Sequence, residues 1–150
     1  PPLQVLPILV TDIEYWFAKH SLERLAALVE RHGTGVLVVA NKADVLNADE
    51  IRRVRLRAAQ RMLEYGIHPV PRFFALSARL EYARQQAQEA VLRRVKPTVR
   101  ELCDGAFDAF RVALYEHEAR YAALAWAGEL QPPRARALAS LMQPSRSAQP

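Results

Sequence analysis

A continuous apolar run that passes directly into a polar loop, Gly35-Val36-Leu37-Val38-Val39-Ala40-Asn41-Lys42-Ala43-Asp44, lies in the first third of the chain. Residues 36–40 are rich in β-branched side chains and lack the alternation of a half-exposed strand. They therefore predict a parallel strand that is buried on both faces of a sheet. The loop 41–44 then falls at the carboxyl end of that strand, where open parallel sheets bind their ligands.

A second strand is predicted after one intervening helix. Asn47 and Glu50 form a capping box that starts this helix, and Gly66 ends it. Apolar residues at helical spacing face inward, whereas the arginines between them face largely outward. The inward set is Ile51, Val54, Ala58, Met62 and Leu63, and the outward set is Arg52, Arg53, Arg55, Arg57 and Arg61. Residues 73–76 predict the second buried strand, which a second polar loop, Ser77-Ala78-Arg79, follows.

The residues before the first loop predict one strand and one helix. Residues 3–10 form a short apolar run that reads as an edge or frayed strand, because Pro7 lacks the N–H group that a central strand needs. Thr11 and Glu14 match the capping box of a helix that ends near Gly33. The apolar residues early and late in this helix fall on nearly opposite faces, which predicts a bend or break near residues 20–21.

Beyond Leu80 the pattern becomes helical throughout. The helical stretch is interrupted at Pro97, resumes, and stops before Pro132, and one more short helix is predicted over residues 134–142. We therefore expect an α/β fold. It has a partial parallel sheet with flanking helices over residues 1–80, an all-helical segment over 81–142, and a disordered tail over 143–150.

Composition limits the classes of protein to which the chain can belong. With 51% hydrophobic and 25% charged residues, it has the make-up of a globular domain. The single Cys103 excludes an intrachain disulfide and favours a reducing, cytoplasmic location. No apolar run is long enough to span a membrane. The four histidines, His20, His32, His68 and His117, lack metal-ligand spacing, so we expect neither a metal site nor a catalytic residue.

The charge of the chain is a weak indication of its partners. Eighteen Arg and three Lys give a net charge of +5, which favours anionic ligands. Sixteen acidic residues are interleaved with these bases, which disfavours nucleic acid as a partner. An anionic membrane surface, with a peripheral location beside it, and self-association through the helices stay open.

The first loop carries residue types that suit recognition of guanine. Asp44 can accept hydrogen bonds from both the imino and the amino group of guanine, a donor pair that adenine lacks. Asn41 can bond the imidazole edge of the base and brace the neighbouring loops. Lys42 can lay its alkyl stem over the ring while its ammonium group stays solvated. Asp44 is therefore the residue expected to select the base.

The second loop supplies complementary groups for the same base. The backbone N–H of Ala78 can donate to the guanine carbonyl oxygen, and Ser77 can orient Asp44. Arg79 can cover the base from the side opposite Lys42. The two loops together predict a guanine-binding site at the carboxyl edge of the sheet.

The pair of motifs Asn41-Lys42-Ala43-Asp44 and Ser77-Ala78-Arg79 resembles the translation-factor class of P-loop GTPases, in which a guanine-specificity loop precedes a Ser-Ala-Lys-like loop. A narrower resemblance is to bacterial dynamin-like GTPases. It rests on Pro7-Ile8-Leu9-Val10-Thr11-Asp12-Ile13-Glu14 and on the segment 74–84, and it covers roughly residues 7–90. The resemblance implies the C-terminal half of a G domain that continues into a helical bundle. It also implies GTP or GDP as ligand, with Mg²⁺ only in an intact domain.

The sequence departs from these families in one respect that matters for chemistry. It contains no Gly-x-x-x-x-Gly-Lys-Ser/Thr loop to hold phosphates and no Asp-x-x-Gly loop to sense the third phosphate. Most of the electrostatic stabilisation used in phosphoryl transfer is therefore missing. We expect the chain to be a fragment that recognises the base and does not hydrolyse GTP alone.

Two other classes of function stay open at this point. A truncated or degenerate G domain would be a non-catalytic module whose helices bind a partner or a second copy. An arginine-driven binder of nucleic acid or anionic membrane would lose affinity steeply with salt. Binding to guanine in preference to adenine separates the GTPase hypothesis from both.

Overall fold

A computed structural model of the chain describes residues 5–126. Within these residues the structure has three strands, β1 (Ile8–Asp12), β2 (Leu37–Asn41) and β3 (Arg72–Ala75), and five helices, α1 (Lys19–His32), α2 (Ala48–Glu64), α3 (Ala78–Gln85), α4 (Glu89–Leu92) and α5 (Pro97–Trp126). Short 3₁₀ turns at Gly33–Gly35 and Ala43–Val45 flank β2. The helix predicted over 134–142 and the tail 143–150 lie outside the described residues.

The sheet is parallel, with β2 between β1 and β3. Val39 of β2 is aligned with Val10 on one side and Phe74 on the other, so α1 and α2 are the crossovers between adjacent parallel strands. Residues 37–40 are all buried, as their continuous apolar pattern predicts. The expectation of an α/β fold with a small parallel sheet is thus confirmed.

The start of the chain differs from the sequence prediction. β1 begins directly after Pro7, whose carbonyl accepts a hydrogen bond from the Leu37 N–H at 3.0 Å, and it continues through Thr11 to Asp12. The capping box at Thr11 is therefore wrong: Thr11 pairs with Ala40 in the sheet. Strand pairing prevails over the local capping signal because it satisfies the same backbone groups through a neighbouring strand.

Helix α1 accordingly begins later than predicted, at Lys19, with no side-chain cap on its first turn. Residues 13–18 form turns, and Trp16 in this segment is completely buried against the rings of Phe17 and Phe73. The early and late apolar residues of the predicted helix fall on opposite faces because the early ones lie in these turns and not in a helix. The end of the helix is as predicted, at Gly33 with a positive φ of 66°.

Helix α2 follows its sequence pattern closely, with two exceptions. The capping box is present: the Asn47 side chain accepts from the Glu50 N–H, and Glu50 accepts from the Asn47 N–H. Leu63 is 55% exposed and not inward, because the helix packs through the face of Ile51 and Met62. Arg55 is half-buried rather than outward, and its Nη2 donates to the carbonyl of Leu102 in α5 at 2.8 Å.

Two cores lie on opposite faces of the sheet. The larger core contains Trp16, Leu22, Ile51 and Met62 and receives Val99 and Cys103 from the first turns of α5. The smaller core joins Leu37, Val39 and Phe74 of the sheet to Ala106 and Ala113 of α5. The predicted division at residue 80 falls inside α3, and α5 on its far side shares both cores with the sheet.

A buried carboxylate ties α3 to α5. The Glu81 side chain is 6% exposed and accepts hydrogen bonds from Arg84 at 2.5 Å and from Gln85 and Arg111 at 2.9 Å each. Burial acts to raise the pKa of Glu81, but the three donors outweigh it and hold the pKa below its ordinary value. Asp108 lies at 3.2 Å from Arg84 and 3.6 Å from Arg111, so the network spans both helices.

Substituting Glu81→Ala should lower the free energy of unfolding by about 2–4 kcal/mol, because Arg84 and Arg111 lose a buried partner. Urea denaturation measures the loss. Since the folded pKa of Glu81 is lowered, its stabilisation is complete above the unfolded carboxyl pKa and disappears as pH falls through the folded value. The difference between wild type and variant should therefore shrink in acid.

The control for this change is Glu116→Ala. Glu116 pairs with Arg72 at 3.1 Å, but both side chains are about half exposed, so this loss should stay below about 1 kcal/mol. Equal losses in the two variants would contradict the role assigned to Glu81.

Candidate functional site

The carboxyl ends of the three strands lie side by side at one edge of the sheet, and two of them open into the predicted loops. The Leu76 N–H donates to the Ala40 carbonyl, and the Ala43 N–H donates to the Leu76 carbonyl, both at 3.0 Å. The loop 41–44 is therefore fastened to the segment that leads into Ser77-Ala78-Arg79. The structure brings together all six residues that the sequence assigns to the site.

Asn41 connects the two loops through hydrogen bonds of its side chain. It is the last residue of β2, and its Oδ1 accepts from the N–H groups of Lys42 at 2.8 Å and Ala78 at 3.0 Å. This is the bracing expected from the sequence. The same hydrogen bond engages the Ala78 N–H, the group that the sequence assigns to the guanine carbonyl. The two roles therefore compete for one donor.

Lys42 connects the first loop to the end of β1. Its backbone has a positive φ of 67°, and its Nζ lies 2.5 Å from Oδ2 of Asp12. The sequence predicts a solvated ammonium group, whereas the structure pairs it with a carboxylate, although the Lys42 side chain is 64% exposed. The hydrogen bond from Lys42, followed by that from the Glu14 N–H, lowers the pKa of Asp12, and the Asp12 partner raises the pKa of Lys42.

Asp12 is a residue of this edge that the sequence analysis missed. The strand predicted over residues 3–10 stops short of Asp12, because the capping pattern at Thr11 predicts the start of a helix there. A strand extended by two residues would have placed Asp12 beside Asn41, with which it is aligned in the sheet. The available signal is an acidic residue two positions after the end of an apolar run.

Asp44 lies in the 3₁₀ turn Ala43–Val45, and its side chain is only 5% exposed. Nη2 of Arg79 donates to its Oδ2 at 2.6 Å, while the Arg79 side chain itself is 66% exposed. Ser77 does not take the expected role: its Oγ accepts from the Leu80 N–H at 3.2 Å and caps α3. Arg79, rather than Ser77, holds the Asp44 carboxylate.

Cys103 lies close to this edge, in the larger core. It is buried in the first turns of α5. Burial, followed by the charge of nearby Asp44, raises the pKa of the thiol to about 11. The thiol therefore stays protonated at neutral pH and acts as a small core side chain.

The carboxylates of the site do not fit Mg²⁺. Asp12 and Asp44 are each paired with a cation, Lys42 and Arg79 respectively. Across residues 5–126, no three His, Cys, Asp or Glu side chains are grouped so as to hold a metal ion.

None of the helices within residues 5–126 has both the length and the hydrophobicity needed to cross a membrane.

A separate cleft lies beside the arginine-rich face of α2. It has a volume of about 340 Å³ and is lined by Phe17, Arg57, Gln60, Arg61 and Glu64. Glu64 accepts from both Gln60 and Arg61, so part of the basic charge is neutralised inside the cleft. The cleft is distinct in its residues from the polar edge of the sheet.

The fold and this edge define an α/β protein with two hydrogen-bonded polar loops at the carboxyl ends of adjacent parallel strands. Comparisons with protein-family models, with curated proteins and with solved structures gave no match to the chain. An interpretation of the site therefore rests on its residues and their geometry.

Substituting Asn41→Ala should separate the two loops. Without the Oδ1 acceptor, the amide hydrogen of Ala78 should exchange about tenfold faster, in line with the loss of one hydrogen bond. Hydrogen exchange followed by NMR measures this rate. Asn47→Ala is the matched control, since it removes a helix cap worth about 1 kcal/mol from α2 and leaves Ala78 untouched. Equal Ala78 protection in both variants would count against the brace.

Substituting Asp12→Asn should lower the pKa of Lys42 toward its ordinary value of 10.5, because the charged acceptor of its ammonium group is removed. NMR titration of the lysine side chains can resolve this change, since the chain has three lysines. Asp49→Asn, which affects an acid of α2 paired with Arg52, should leave the Lys42 curve unchanged. An unmoved curve in Asp12→Asn would show that the pair does not persist in solution.

Proposed function

We propose that this chain recognises the guanine base of a nucleotide, as part of a dynamin-like GTPase, through the loops 41–44 and 77–79. The observation that carries the proposal is the direct fastening of these loops at the carboxyl edge, with Asn41 bonded to Ala78 and Asp44 bonded to Arg79. Parallel α/β sheets bind ligands at this edge.

The chemistry of Asp44 supports guanine over adenine. A carboxylate offers two acceptor oxygens, which match the imino and amino hydrogens of guanine in one plane. The edge of adenine presents an acceptor where guanine presents its imino hydrogen, so an adenine base would leave a carboxylate oxygen facing a lone pair. Because the Asp44 side chain is almost fully buried, such a mismatch is costly.

The order of the elements supports the finer proposal of a P-loop GTPase fold. The two loops follow consecutive parallel strands, β2 and β3, with the single helix α2 between them. This is the order that the resemblance of Asn41-Lys42-Ala43-Asp44 and Ser77-Ala78-Arg79 to the translation-factor class implies. The helix α5 that crosses the sheet is compatible with the start of a helical bundle.

The proposal separates base recognition from hydrolysis. The sequence contains no Gly-x-x-x-x-Gly-Lys-Ser/Thr motif, and the carboxylates of the edge are paired with cations. Hydrolysis of GTP, and the Mg²⁺ that it requires, would depend on a phosphate loop that this sequence does not supply. The role proposed for the chain itself is binding.

Substituting Asp44→Asn should reverse the preference for the base. An amide presents a donor to the position of the guanine amino group, so guanosine affinity should fall about tenfold or more, and xanthosine, which has a carbonyl there, should become the better ligand. Saturation-transfer NMR with guanosine, xanthosine and adenosine measures the order of preference.

The matched control is Asp49→Asn on α2, which removes the same charge from a side chain that is 75% exposed. It should keep the wild-type order of preference. A wild-type protein that binds guanosine no better than adenosine would refute the proposed function, as would an unchanged order in Asp44→Asn.

The alternative is a non-catalytic module that binds through its helices. It is favoured by apolar side chains on the outer surface of α5, where Val112, Tyr115 and Trp126 are 53%, 61% and 85% exposed. Concentration-dependent sedimentation together with an absence of guanosine binding would support this alternative.

A further inference from the structure

The two groups that would read the guanine edge are already hydrogen-bonded within the protein. Oδ2 of Asp44 accepts from Arg79 at 2.6 Å, and the N–H of Ala78 donates to Asn41 at 3.0 Å. Arg79 thus occupies part of the acceptor surface that a base would use, on a carboxylate that is only 5% exposed. In the observed arrangement, therefore, the polar groups of the site are hydrogen-bonded to one another.

We infer that Arg79 is an internal competitor of the guanine base, which closes the site in the absence of nucleotide and swings away when a base enters. This inference rests on the proposed function and adds its regulation. It reverses the role that the sequence suggests for Arg79, which was to cover the bound base.

The burial of the two partners is unequal, and this indicates which one moves. The Asp44 side chain is 5% exposed and is fixed within the turn Ala43–Val45, whereas the Arg79 side chain is 66% exposed. A buried carboxylate without a partner is unfavourable, so Asp44 needs Arg79 whenever no ligand is present. The two N–H groups of guanine can replace that partner, while the released guanidinium gains hydration.

The position of Arg79 in α3 makes its release easier. Ser77 is the N-cap of this helix, so Arg79 lies in the first turn, where the helix dipole presents partial positive charge. A cation there is held by its carboxylate partner against the local dipole. In contrast, Arg84 in the last turn of the same helix, which pairs with Glu81, lies where the dipole favours a cation.

The dependence of guanosine affinity on salt concentration distinguishes two roles for Arg79, which either competes with the base or covers it. Guanosine is uncharged, so its own hydrogen bonds depend weakly on ionic strength, whereas the ion pair between Arg79 and Asp44 is screened by salt. If the base must displace Arg79, guanosine affinity rises with salt. If Arg79 covers the base instead, this rise is not expected.

The test is guanosine binding to the whole chain, measured by NMR titration at low and at high sodium chloride, with adenosine as the reference nucleoside. Arg79→Ala should bind guanosine about three- to tenfold more tightly than wild type at low salt, and its affinity should not rise with salt. Arg53→Ala, which removes an exposed arginine of α2, is the matched control and should behave as wild type.

Other outcomes overturn the inference, and they distinguish it from the proposed function. If wild type prefers guanosine over adenosine but Arg79→Ala binds it equally or more weakly, the competitor role is wrong and guanine recognition stands. If no form of the chain prefers guanosine over adenosine, both the proposed function and the competitor role are wrong.

Discussion

The burial of β2 on both faces is the constraint on which the rest of the structure depends. A parallel strand with no polar alternation must be covered from both sides, since either face left open would expose Leu37 and Val39 or Val38 and Ala40 to water. The crossover helices cover the first face. The second face is covered by α5, which explains why the helical segment returns across the sheet through Ala106 and Phe110.

This constraint also fixes the geometry of the site. Because β2 is held between β1 and β3 in a defined register, its last residue, Asn41, lies beside Asp12 and next to the loop that leads into α3. The hydrogen bonds from Lys42 and Ala78 to Asn41 then need no further chain movement. The relative positions of the residues at the polar edge are thus set by the packing of the core below it.

Local signals in the sequence predict much of this fold, and they fail where distant residues decide. The run 36–40 and the capping box of Asn47 and Glu50 identify β2 and the start of α2, since each is complete within a few residues. The similar capping pattern at Thr11 fails because β1 pairs with a strand about thirty residues away. The two loops are brought together as placed, but the ion pairs that join Lys42 to Asp12 and Arg79 to Asp44 carry no local pattern.

The internal hydrogen bonds of the edge also bear on how affinity would arise. A site whose polar groups are paired before binding exchanges one set of partners for another, so the net gain is the difference between the two sets. For a carboxylate as buried as Asp44, the empty and unpaired state is the unfavourable one, which is why a partner from the protein is present. Selectivity then depends on whether a ligand can replace that partner completely. In the proposed complex, guanine would offer Asp44 two donors in one plane, whereas a base with a single donor would leave the exchange incomplete.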